Sequence, residues 1–152
     1  MLEDDFWTKI RKAIGKKWRS ERVENRLSAD FPDVVFSIPV CGIIRNGLLE
    51  LKCGKLSKKS TISISHYTEG QRDFAVNHGA YLLVYVESVG VMLFGSDFAK
   101  ELFRGQTALW HIERSIYFSK SINGDELFTI FQSILFPDYQ DRKSTRLNSS
   151  HT

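Results

Sequence analysis

Cysteine is scarce in this sequence, and its scarcity excludes several kinds of site. Cys41 and Cys53 are too few for a disulfide framework or for a complete zinc site. The histidines are scattered without metal-ligand spacing, and we interpret His66 and His78 as ordinary polar positions. We therefore expect a reducing cytoplasm and no metal held by soft ligands, whereas a hard cation held by oxygen atoms remains open.

Long hydrophobic runs are missing as well. No apolar stretch approaches the ~20 residues that a membrane helix needs, and the start, MLEDDFWTKIRK, does not have the pattern of a signal peptide. The chain has 152 residues, of which 42% are hydrophobic and 26% are charged, as is typical of one compact domain. We therefore expect a single soluble domain that binds no membrane.

A strong excess of one charge sign is also missing once the last residues are set aside. DRKSTRLNSSH, residues 141–151, resembles a translated reading frame of a common sequencing-library adapter. We expect residues 1–140 to be the domain and residues 141–152 to be a non-native tail. The tail holds three basic groups and one acid, so the formal net charge falls from +3 to +1 without it. Only local clusters of cations can therefore indicate nucleic acid binding.

The N-terminal segment predicts a helix from about Glu3 to Leu27. Its apolar residues recur near a period of 3.6, and Gly15 is a point at which the helix can break. The other faces carry eight cations, Lys9, Arg11, Lys12, Lys16, Lys17, Arg19, Arg22 and Arg26. Most of these favour a solvated helix face, yet this segment is also the best surface in the chain for binding a phosphate backbone.

The rest of the chain alternates between strand and helix patterns. DVVFSIPV (33–40) and LLELKC (48–53) predict an antiparallel hairpin with its turn near Asn46-Gly47. Two continuous apolar runs, 80–87 and 90–95, predict buried strands. Helices are predicted from Thr68 to His78-Gly79, from Ser96 for about eight residues, and over 124–135, and 107–119 is ambiguous but favours an edge strand. Together these patterns predict an α/β domain with a central mixed sheet flanked by helices.

The segment NGLLELKCGK, residues 46–55, places two ionisable side chains on an apolar strand. Side chains alternate faces along a strand, so Glu50 and Lys52 share one face, with Cα atoms about 6.6 Å apart. If the predicted hairpin pairs, Asp33 near the start of one strand lies beside Glu50 near the end of the other. Two carboxylates and one ammonium would then meet at one end of the sheet.

Two carboxylates in such proximity repel each other unless a cation neutralises them. Lys52 supplies one positive charge and Mg²⁺ would supply more, since Mg²⁺ is typically held by one or two carboxylates, waters and substrate phosphates. Such a metal stabilises charge on a phosphate and lowers the pKa of a bound water, which a lysine can position. Taken alone, Glu-x-Lys on a strand favours a structural salt bridge between Glu50 and Lys52 instead.

FPDVVF followed by LLELK resembles the PD-(D/E)xK nuclease motif, with Pro32-Asp33 and Glu50-Leu51-Lys52 on either side of a 16-residue interval. Upstream, RVEN places Glu24 on the predicted helix, and downstream, TEGQRDF places Gln71 at the start of another. The order of a helix Glu, a Pro-Asp hairpin, a Glu-x-Lys strand, a helix with Gln and a Gly-led apolar strand is similar to that of VRR-NUC (virus-type replication-repair nuclease) domains. The resemblance covers roughly residues 20–95 and is strongest to small stand-alone phage and bacterial members.

This resemblance implies a restriction-endonuclease-like architecture and a DNA endonuclease that depends on Mg²⁺ or Mn²⁺. The residues that it makes catalytic are Asp33, Glu50, Lys52, Gln71 and Glu24. The metal ligands that it implies are Asp33, Glu50, Glu24 and the backbone carbonyl of Leu51. Lys52 would act on the attacking water, and Gln71 would orient the site.

Two of these assignments have competing interpretations. Glu24 lies near the apolar stripe of the predicted helix, but Glu21, one turn earlier, is a rival for the same role. Thr68-x-x-Gln71 fits a capping box, in which the Gln side chain bonds back to the amide of the N-cap residue. Both roles of Gln71 are compatible.

Local clusters of cations are the candidates for contacts with DNA phosphates. They lie after the Glu-x-Lys strand, beside Gln71 and in the N-terminal segment, at Lys55, Lys58, Lys59, Arg72, Lys16, Lys17 and Arg19. For the three lysines of the loop, a solvated loop without a DNA role is an equally good interpretation.

The resemblance predicts hydrolysis of phosphodiester bonds in phage or bacterial replication or repair, in the cytoplasm of a bacterial or phage-infected cell. Branched or junction DNA is the expected substrate, and a homodimer is one expected assembly. One alternative is a non-catalytic nucleic-acid-binding relative whose carboxylates serve structure alone. Another is an unrelated α/β protein with a chance motif, which predicts that Asp33 and Glu50 lie far apart.

Overall fold

Helices flank one mixed, seven-stranded β-sheet in the computed structural model of the chain. The structure describes residues 2–22, 31–64, 66–101 and 105–138. The predicted α/β class, with a central mixed sheet flanked by helices, is therefore confirmed. Among the helices in these ranges, none is long and apolar enough to cross a membrane.

Strands and helices alternate along the chain. The helices are α1 (Glu3–Ile14), α2 (Glu69–His78), α3 (Ala108–Arg114) and α4 (Gly124–Leu135), with a 3₁₀ turn at Ser96–Phe98. The strands are β1 (Arg19–Arg22), β2 (Val34–Val40), β3 (Ile43–Leu56), β4 (Ile62–Ile64), β5 (Tyr81–Val86), β6 (Gly90–Phe94) and β7 (Tyr117–Ser119).

The order of strands across the sheet is β1-β2-β3-β5-β6-β7, and β4 also pairs with β3. β3 and β5 run parallel, because α2 carries the chain back between them, and the other pairs are antiparallel. β5 occupies one edge of β3 from Leu49 to Gly54. Both β2 and β4 must therefore lie along the other edge of β3.

The hairpin turn between β2 and β3 is Cys41-Gly42, so the predicted turn at Asn46-Gly47 is wrong. The two turn residues have φ angles of 50° and 81°, as a type I′ hairpin turn requires. Asn46 and Gly47 lie inside β3 instead. A Cβ at position 47 would lie 2.3 Å from the ring of Phe36. Position 47 requires glycine because the ring of Phe36 lies against its backbone and leaves no room for a side chain.

The N-terminal helix is shorter than predicted. α1 ends at Ile14, and Gly15 follows with a φ of 63° and donates its N–H to the carbonyl of Arg11. The predicted continuation of the helix is wrong for residues 19–22, which form β1 and pair with β2. The remainder of that prediction, residues 23–27, lies outside the described residues.

The other predicted elements are mostly confirmed. The strands over 80–87 and 90–95 and the helix over 124–135 form as β5, β6 and α4. The edge-strand prediction for 107–119 is right for β7 and wrong for α3, which Thr107 caps by accepting from the N–H of Trp110. The helix expected from Ser96 is limited to the 3₁₀ turn in the described part of that segment.

Two hydrophobic cores lie on the two faces of the sheet. On one face, Leu49 and Leu51 of β3 pack with Phe6 of α1 and Phe131 of α4. On the other face, β5 and β6 pack against α2, the 3₁₀ turn and α3. Because side chains alternate along β3, Glu50 and Lys52 point to this second face, as predicted.

Candidate functional site

The candidate site lies at a notch, which we define as the β2-side edge of β3 at residues 50–53. β2 pairs with this edge as far as Leu49, and β4 pairs with it from Gly54 onward. Between these two positions no strand of the described chain occupies the edge. The backbone groups of β3 at these residues are therefore free to bind groups that do not belong to a strand of the sheet.

Asp33 and Glu50 lie side by side at the notch. Val34, the first residue of β2, is opposite Leu49 in the antiparallel register. Asp33 directly precedes β2 and therefore comes next to Glu50, on the face opposite Leu49. The two carboxyl groups are close enough for Asp33 to raise the pKa of Glu50. The two carboxyl groups therefore converge, as the sequence predicts, and the wide separation expected for a chance motif is not found between them.

The backbone of Leu51 holds the carboxylate of Asp33. The N–H of Leu51 donates to Oδ2 of Asp33 over 3.2 Å, in the place where a further residue of β2 would pair. The N–H and C=O of a strand residue point to the same edge, so the Leu51 carbonyl also faces the notch. The structure thus brings together Asp33, Glu50 and the Leu51 carbonyl, three members of the predicted ligand set.

Glu50 is a buried carboxyl group, only 4% exposed, beside a second carboxyl group. Burial raises the pKa of Glu50, and the charge of Asp33 raises it further, from 4.5 to about 8. Lys52 opposes this rise in pKa. One ammonium therefore does not compensate for burial and for a neighbouring carboxylate, and the notch has a deficit of positive charge.

Lys52 is 3% exposed, and its ammonium lies among three acceptors. Nζ donates to the carbonyl of His66 over 3.0 Å and lies 3.4 Å from Oε1 of Glu50 and 3.7 Å from Oε1 of Glu3. The salt bridge between Glu50 and Lys52 that the sequence favours is therefore present. An ammonium has three N–H donors, so these acceptors hold it in one position.

The sequence interpretation missed Glu3. This residue lies in the first turn of α1, and its side chain is 36% exposed where it meets Lys52. It stands three residues before Phe6 and therefore shares a helix face with the buried stripe of α1. A charged side chain that continues an apolar stripe is the signal that identifies such a residue.

The sequence interpretation also missed Tyr67, which is 8% exposed. Burial and the nearby charge of Glu50 raise the pKa of its hydroxyl, and Arg72 opposes this rise. The guanidinium of Arg72 lies 5.9 Å from the centre of the Tyr67 ring, and its Nε donates to the carbonyl of Thr68 over 3.4 Å. Arg72, predicted to contact DNA, therefore makes contacts within the protein. Tyr67 precedes the helix cap, where a residue commonly packs on the fourth helical residue.

Gln71 forms the capping box that the sequence predicts. Its N–H donates to the hydroxyl of Thr68, and its Oε1 accepts from the N–H of Thr68, both over 3.1 Å. α2 then packs against the entry to β2, because the ring of Phe74 meets that of Phe31 at 5.4 Å. The helix thus helps to position Asp33, whereas a catalytic role of Gln71 stays a prediction.

The predicted helix glutamate is not placed. Glu24 lies outside the described residues. Glu21, its rival, belongs to β1 and is opposite Val35. The predicted placement of Glu21 on a helix is therefore wrong, and its role as a ligand stays a prediction.

Apart from Arg72, the predicted phosphate-binding cations fall into two separate groups. Lys55, Lys58 and Lys59 are exposed on the end of β3 and the turn that follows, directly beyond the notch. Lys16, Lys17 and Arg19 are also exposed, but they lie towards the other end of β2, where Arg19 is opposite Ser37. Lys17 forms an ion pair with Asp125 of α4. Only the first group lies next to the candidate site.

The donor set at the notch fits a hard divalent cation. Glu50 Oε1 is buried and forms an ion pair with the Lys52 ammonium at 3.4 Å, but no hydrogen bond to it is made within the described residues, and Asp33 adds a second carboxylate. Within those residues, no cluster of three or more His, Cys, Asp or Glu side chains is suited to hold a metal. Mg²⁺ commonly takes only one or two carboxylates and completes its shell with carbonyls, waters and substrate oxygens. Asp33, Glu50 and the carbonyl of Leu51 meet that requirement.

The raised pKa of Glu50 predicts how stability depends on pH without metal. Because the folded state holds the proton more tightly than the unfolded state, stability should fall as pH rises from about 4.5 through about 8. Glu50→Gln removes this titration. The free energy of unfolding of the variant, relative to that of the wild type, should therefore increase as pH rises through the same interval. Urea unfolding of both proteins in EDTA, from pH 5 to 9, measures the difference. If the difference in the free energy of unfolding between the two proteins does not change with pH, the pKa of Glu50 is not raised.

No protein-family model matches the chain, and no curated protein matches it either. The functional argument therefore depends on the motif order in the sequence and on the geometry of the notch.

Proposed function

We propose that the chain is a DNA endonuclease of the PD-(D/E)xK class that uses Mg²⁺ or Mn²⁺. The observation that carries the proposal is the pairing of Asp33 with the buried Glu50, beside the ammonium of Lys52. Sixteen residues separate the Pro-Asp and Glu-x-Lys motifs in the sequence. A chance match gives no reason for the register to join them.

The order of elements around the notch supports a restriction-endonuclease-like architecture. The hairpin of β2 and β3 carries the two motifs, α2 follows with Gln71 in its first turn, and β5 returns parallel to β3. This is the succession of hairpin, helix and apolar strand on which the VRR-NUC resemblance depends. The glutamate expected on a preceding helix is the member of the pattern that has no described position.

Asp33, Glu50 and the carbonyl of Leu51 would hold the divalent cation. When bound, the cation supplies charge stabilisation at a phosphate and lowers the pKa of a bound water. The amide of Leu51 keeps the Asp33 carboxylate on the notch, so this ligand is oriented before any cation arrives. The proton that Glu50 holds near pH 7 must leave when the carboxylate becomes a ligand.

Lys52 would orient the attacking water and stabilise the negative charge that develops on the phosphate. The carbonyl of His66 and the carboxylate of Glu3 hold its ammonium beside Glu50. An ammonium in a buried setting acts more strongly on nearby charge than one in water, because the dielectric screening is weaker. Glu3 acts through Lys52 in this scheme, as a positioning residue.

A purely structural pair is the competing interpretation, since Glu50 and Lys52 do form a salt bridge. It would correspond to a nucleic-acid-binding relative without catalysis. Lys52 lowers the pKa of Glu50, as a structural partner would, but burial and the charge of Asp33 raise it by more. A salt bridge between Glu50 and Lys52 alone therefore gives no reason for a second carboxylate beside Glu50, whereas a cation site does. Phosphate contacts would then come from Lys55, Lys58 and Lys59 in either case.

A cleavage panel tests the proposal. Single-stranded, duplex, flap and four-way junction DNA are incubated with the protein and Mg²⁺, Mn²⁺ or EDTA. We expect metal-dependent cleavage with preference for branched DNA, and at least about a hundredfold loss in Lys52→Ala, as for removal of a general acid–base group. Lys100→Ala is the matched control, because Lys100 also forms an ion pair, 3.1 Å from Asp73, but far from the notch in sequence and on the surface.

Two outcomes would contradict the proposal. No cleavage of any DNA under any metal condition would favour the non-catalytic relative. Equal cleavage by the wild type and Lys52→Ala would assign the activity to a contaminant. Sedimentation of the same preparations tests the homodimer, which stays a prediction from the family resemblance.

A further inference from the structure

A cavity of about 800 Å³ lies on the α1 face of the sheet, next to the groups that contact the Lys52 ammonium. Its walls include Glu3 and His66, the two groups outside β3 that hold the Lys52 ammonium. The β3 residues from Cys53 to Leu56, which follow Lys52, form another wall. The cavity is thus a neighbour of the notch, and none of the roles assigned above uses it.

The size and the walls of the cavity suit a flat organic ring. Its volume falls within the ~300–1,000 Å³ of sites that bind small organic ligands. Leu2 and Leu56 line it and are 75% and 36% exposed. Tyr85 of β5 also lines it, and its half-buried ring lies 5.8 Å from that of Phe6 on α1. Aliphatic and aromatic side chains of this kind are the surfaces against which an extruded nucleic acid base stacks.

The charge of the walls selects against phosphate. Glu3, Asp4 and Glu87 contribute three carboxylates, against the single cationic side chain of Lys55. Such walls repel a phosphate and attract groups that donate hydrogen bonds. Carboxylates accept from the exocyclic amino groups of bases, as Glu and Asp do from N4 of cytosine.

We infer that this cavity receives one unpaired, amino-bearing base of the DNA substrate, next to the phosphate held at the notch. The inference rests on the proposed nuclease function and adds a substrate class to it. The exposed lysines of the turn after β3 would then hold the backbone on the far side of the base. Preference for branched or frayed DNA follows, because such DNA presents unpaired bases at the smallest cost in lost stacking.

The chemistry of the walls also predicts which base is favoured. Cytosine, adenine and guanine carry exocyclic amino groups, whereas thymine presents a carbonyl at the corresponding place. A thymine carbonyl facing Glu87 would meet a second acceptor. Glu87→Gln supplies an amide that can donate, so it should reduce the discrimination against thymine.

The test compares duplexes that differ in one central nucleotide, which is either paired, an unpaired cytosine or an unpaired thymine. We expect the wild type to cleave beside the unpaired cytosine at least about fivefold faster than in the paired duplex, the low end for a base-reading contact. Leu56→Trp fills the cavity and should remove this preference. Leu109→Trp is the matched control, since Leu109 is a leucine on α3, 64% exposed, outside the cavity walls.

The outcomes separate this inference from the proposed function. Equal cleavage of paired and unpaired duplexes, or a preference that survives in a folded Leu56→Trp, would overturn the cavity assignment and leave the nuclease intact. If no DNA is cleaved, the nuclease proposal fails, and binding anisotropy of the same duplexes in EDTA decides the inference. A binding preference for unpaired cytosine that Leu56→Trp abolishes would support the cavity, and equal binding would exclude it. If Leu56→Trp does not fold, the cytosine-to-thymine ratio of Glu87→Gln decides, and an unchanged ratio overturns the inference.

Discussion

Asp33→Asn should lower metal-dependent DNA cleavage by at least about a hundredfold, because even residues behind a metal ligand contribute about 10–100-fold. Asparagine keeps the size of the side chain and the oxygen that accepts from the Leu51 amide. It removes the charge that, with Glu50, would attract a divalent cation. Cleavage of the best DNA of the panel, at saturating Mn²⁺, measures the loss.

The same substitution should abolish stabilisation by metal. A ligand that binds only the folded state raises the free energy of unfolding, so Mn²⁺ should raise the melting temperature of the wild type in proportion to occupancy. Asp33→Asn should show no such rise. Asp97→Asn is the matched control, because Asp97 is an exposed aspartate of the 3₁₀ turn and should retain both cleavage and stabilisation.

A third result would separate chemistry from structure. If Asp33→Asn loses cleavage but is still stabilised by Mn²⁺, the cation binds elsewhere and the notch is not the metal site. If it loses neither, Asp33 serves only to hold the end of β2. In metal-free buffer above about pH 8, where Glu50 is ionised, Asp33→Asn should be as stable as the wild type or more so, since it relieves repulsion with Glu50.

That Asp33 and Glu50 share one face of the sheet was predictable, because it depends only on the alternation of side chains along paired strands. A hairpin with both motifs near its open end can place them on one face in only a few registers. The register was not predictable, because the turn of a hairpin sets it. A tight turn at Asn46-Gly47 would have put Asp33 opposite Ser60, whereas the actual turn at Cys41-Gly42 puts Val34 opposite Leu49 and so brings Asp33 next to Glu50.

Contacts between distant segments were not predictable in the same way. Glu3 meets Lys52 because α1 crosses the sheet near the notch, and no local pattern sets that crossing. β1 was assigned to a helix because Arg and Glu are good helix formers and the apolar period continues past Gly15. Pairing with β2 overrides this propensity. Where a segment has little apolar pattern, as in β1, contacts with the rest of the fold thus determine whether it forms a helix or a strand.

A buried carboxyl group with a raised pKa on a core strand lowers the stability of the fold. An apolar residue at position 50 would pack beside Leu82 of β5 without any charge to neutralise. The fold tolerates Glu50 because Lys52 offsets part of the cost. Retaining such an arrangement is understandable if a cation binds there, since stability is commonly lost where function requires like charges to meet.

Phe131→Ala should destabilise the fold by about 3–5 kcal/mol, the usual cost of removing a large aromatic side chain from a core. Phe131 is fully buried on α4, and its ring lies 4.8 Å from that of Phe36 on β2 and 5.2 Å from that of Trp18. Without it, α4 loses its main contact with β2. Urea unfolding, followed by circular dichroism, measures the change in the free energy of unfolding.

Phe128→Ala is the matched control, because Phe128 is the same residue type on the same helix but is only partly buried. It should cost clearly less than Phe131→Ala. Both residues pack on the face of the sheet opposite Glu50, so the activity per folded molecule should stay near that of the wild type in either variant. Equal losses of stability would mean that burial at Phe131 is not what anchors α4. A loss of activity in the folded fraction of Phe131→Ala would mean that the position of β2, and with it Asp33, depends on α4.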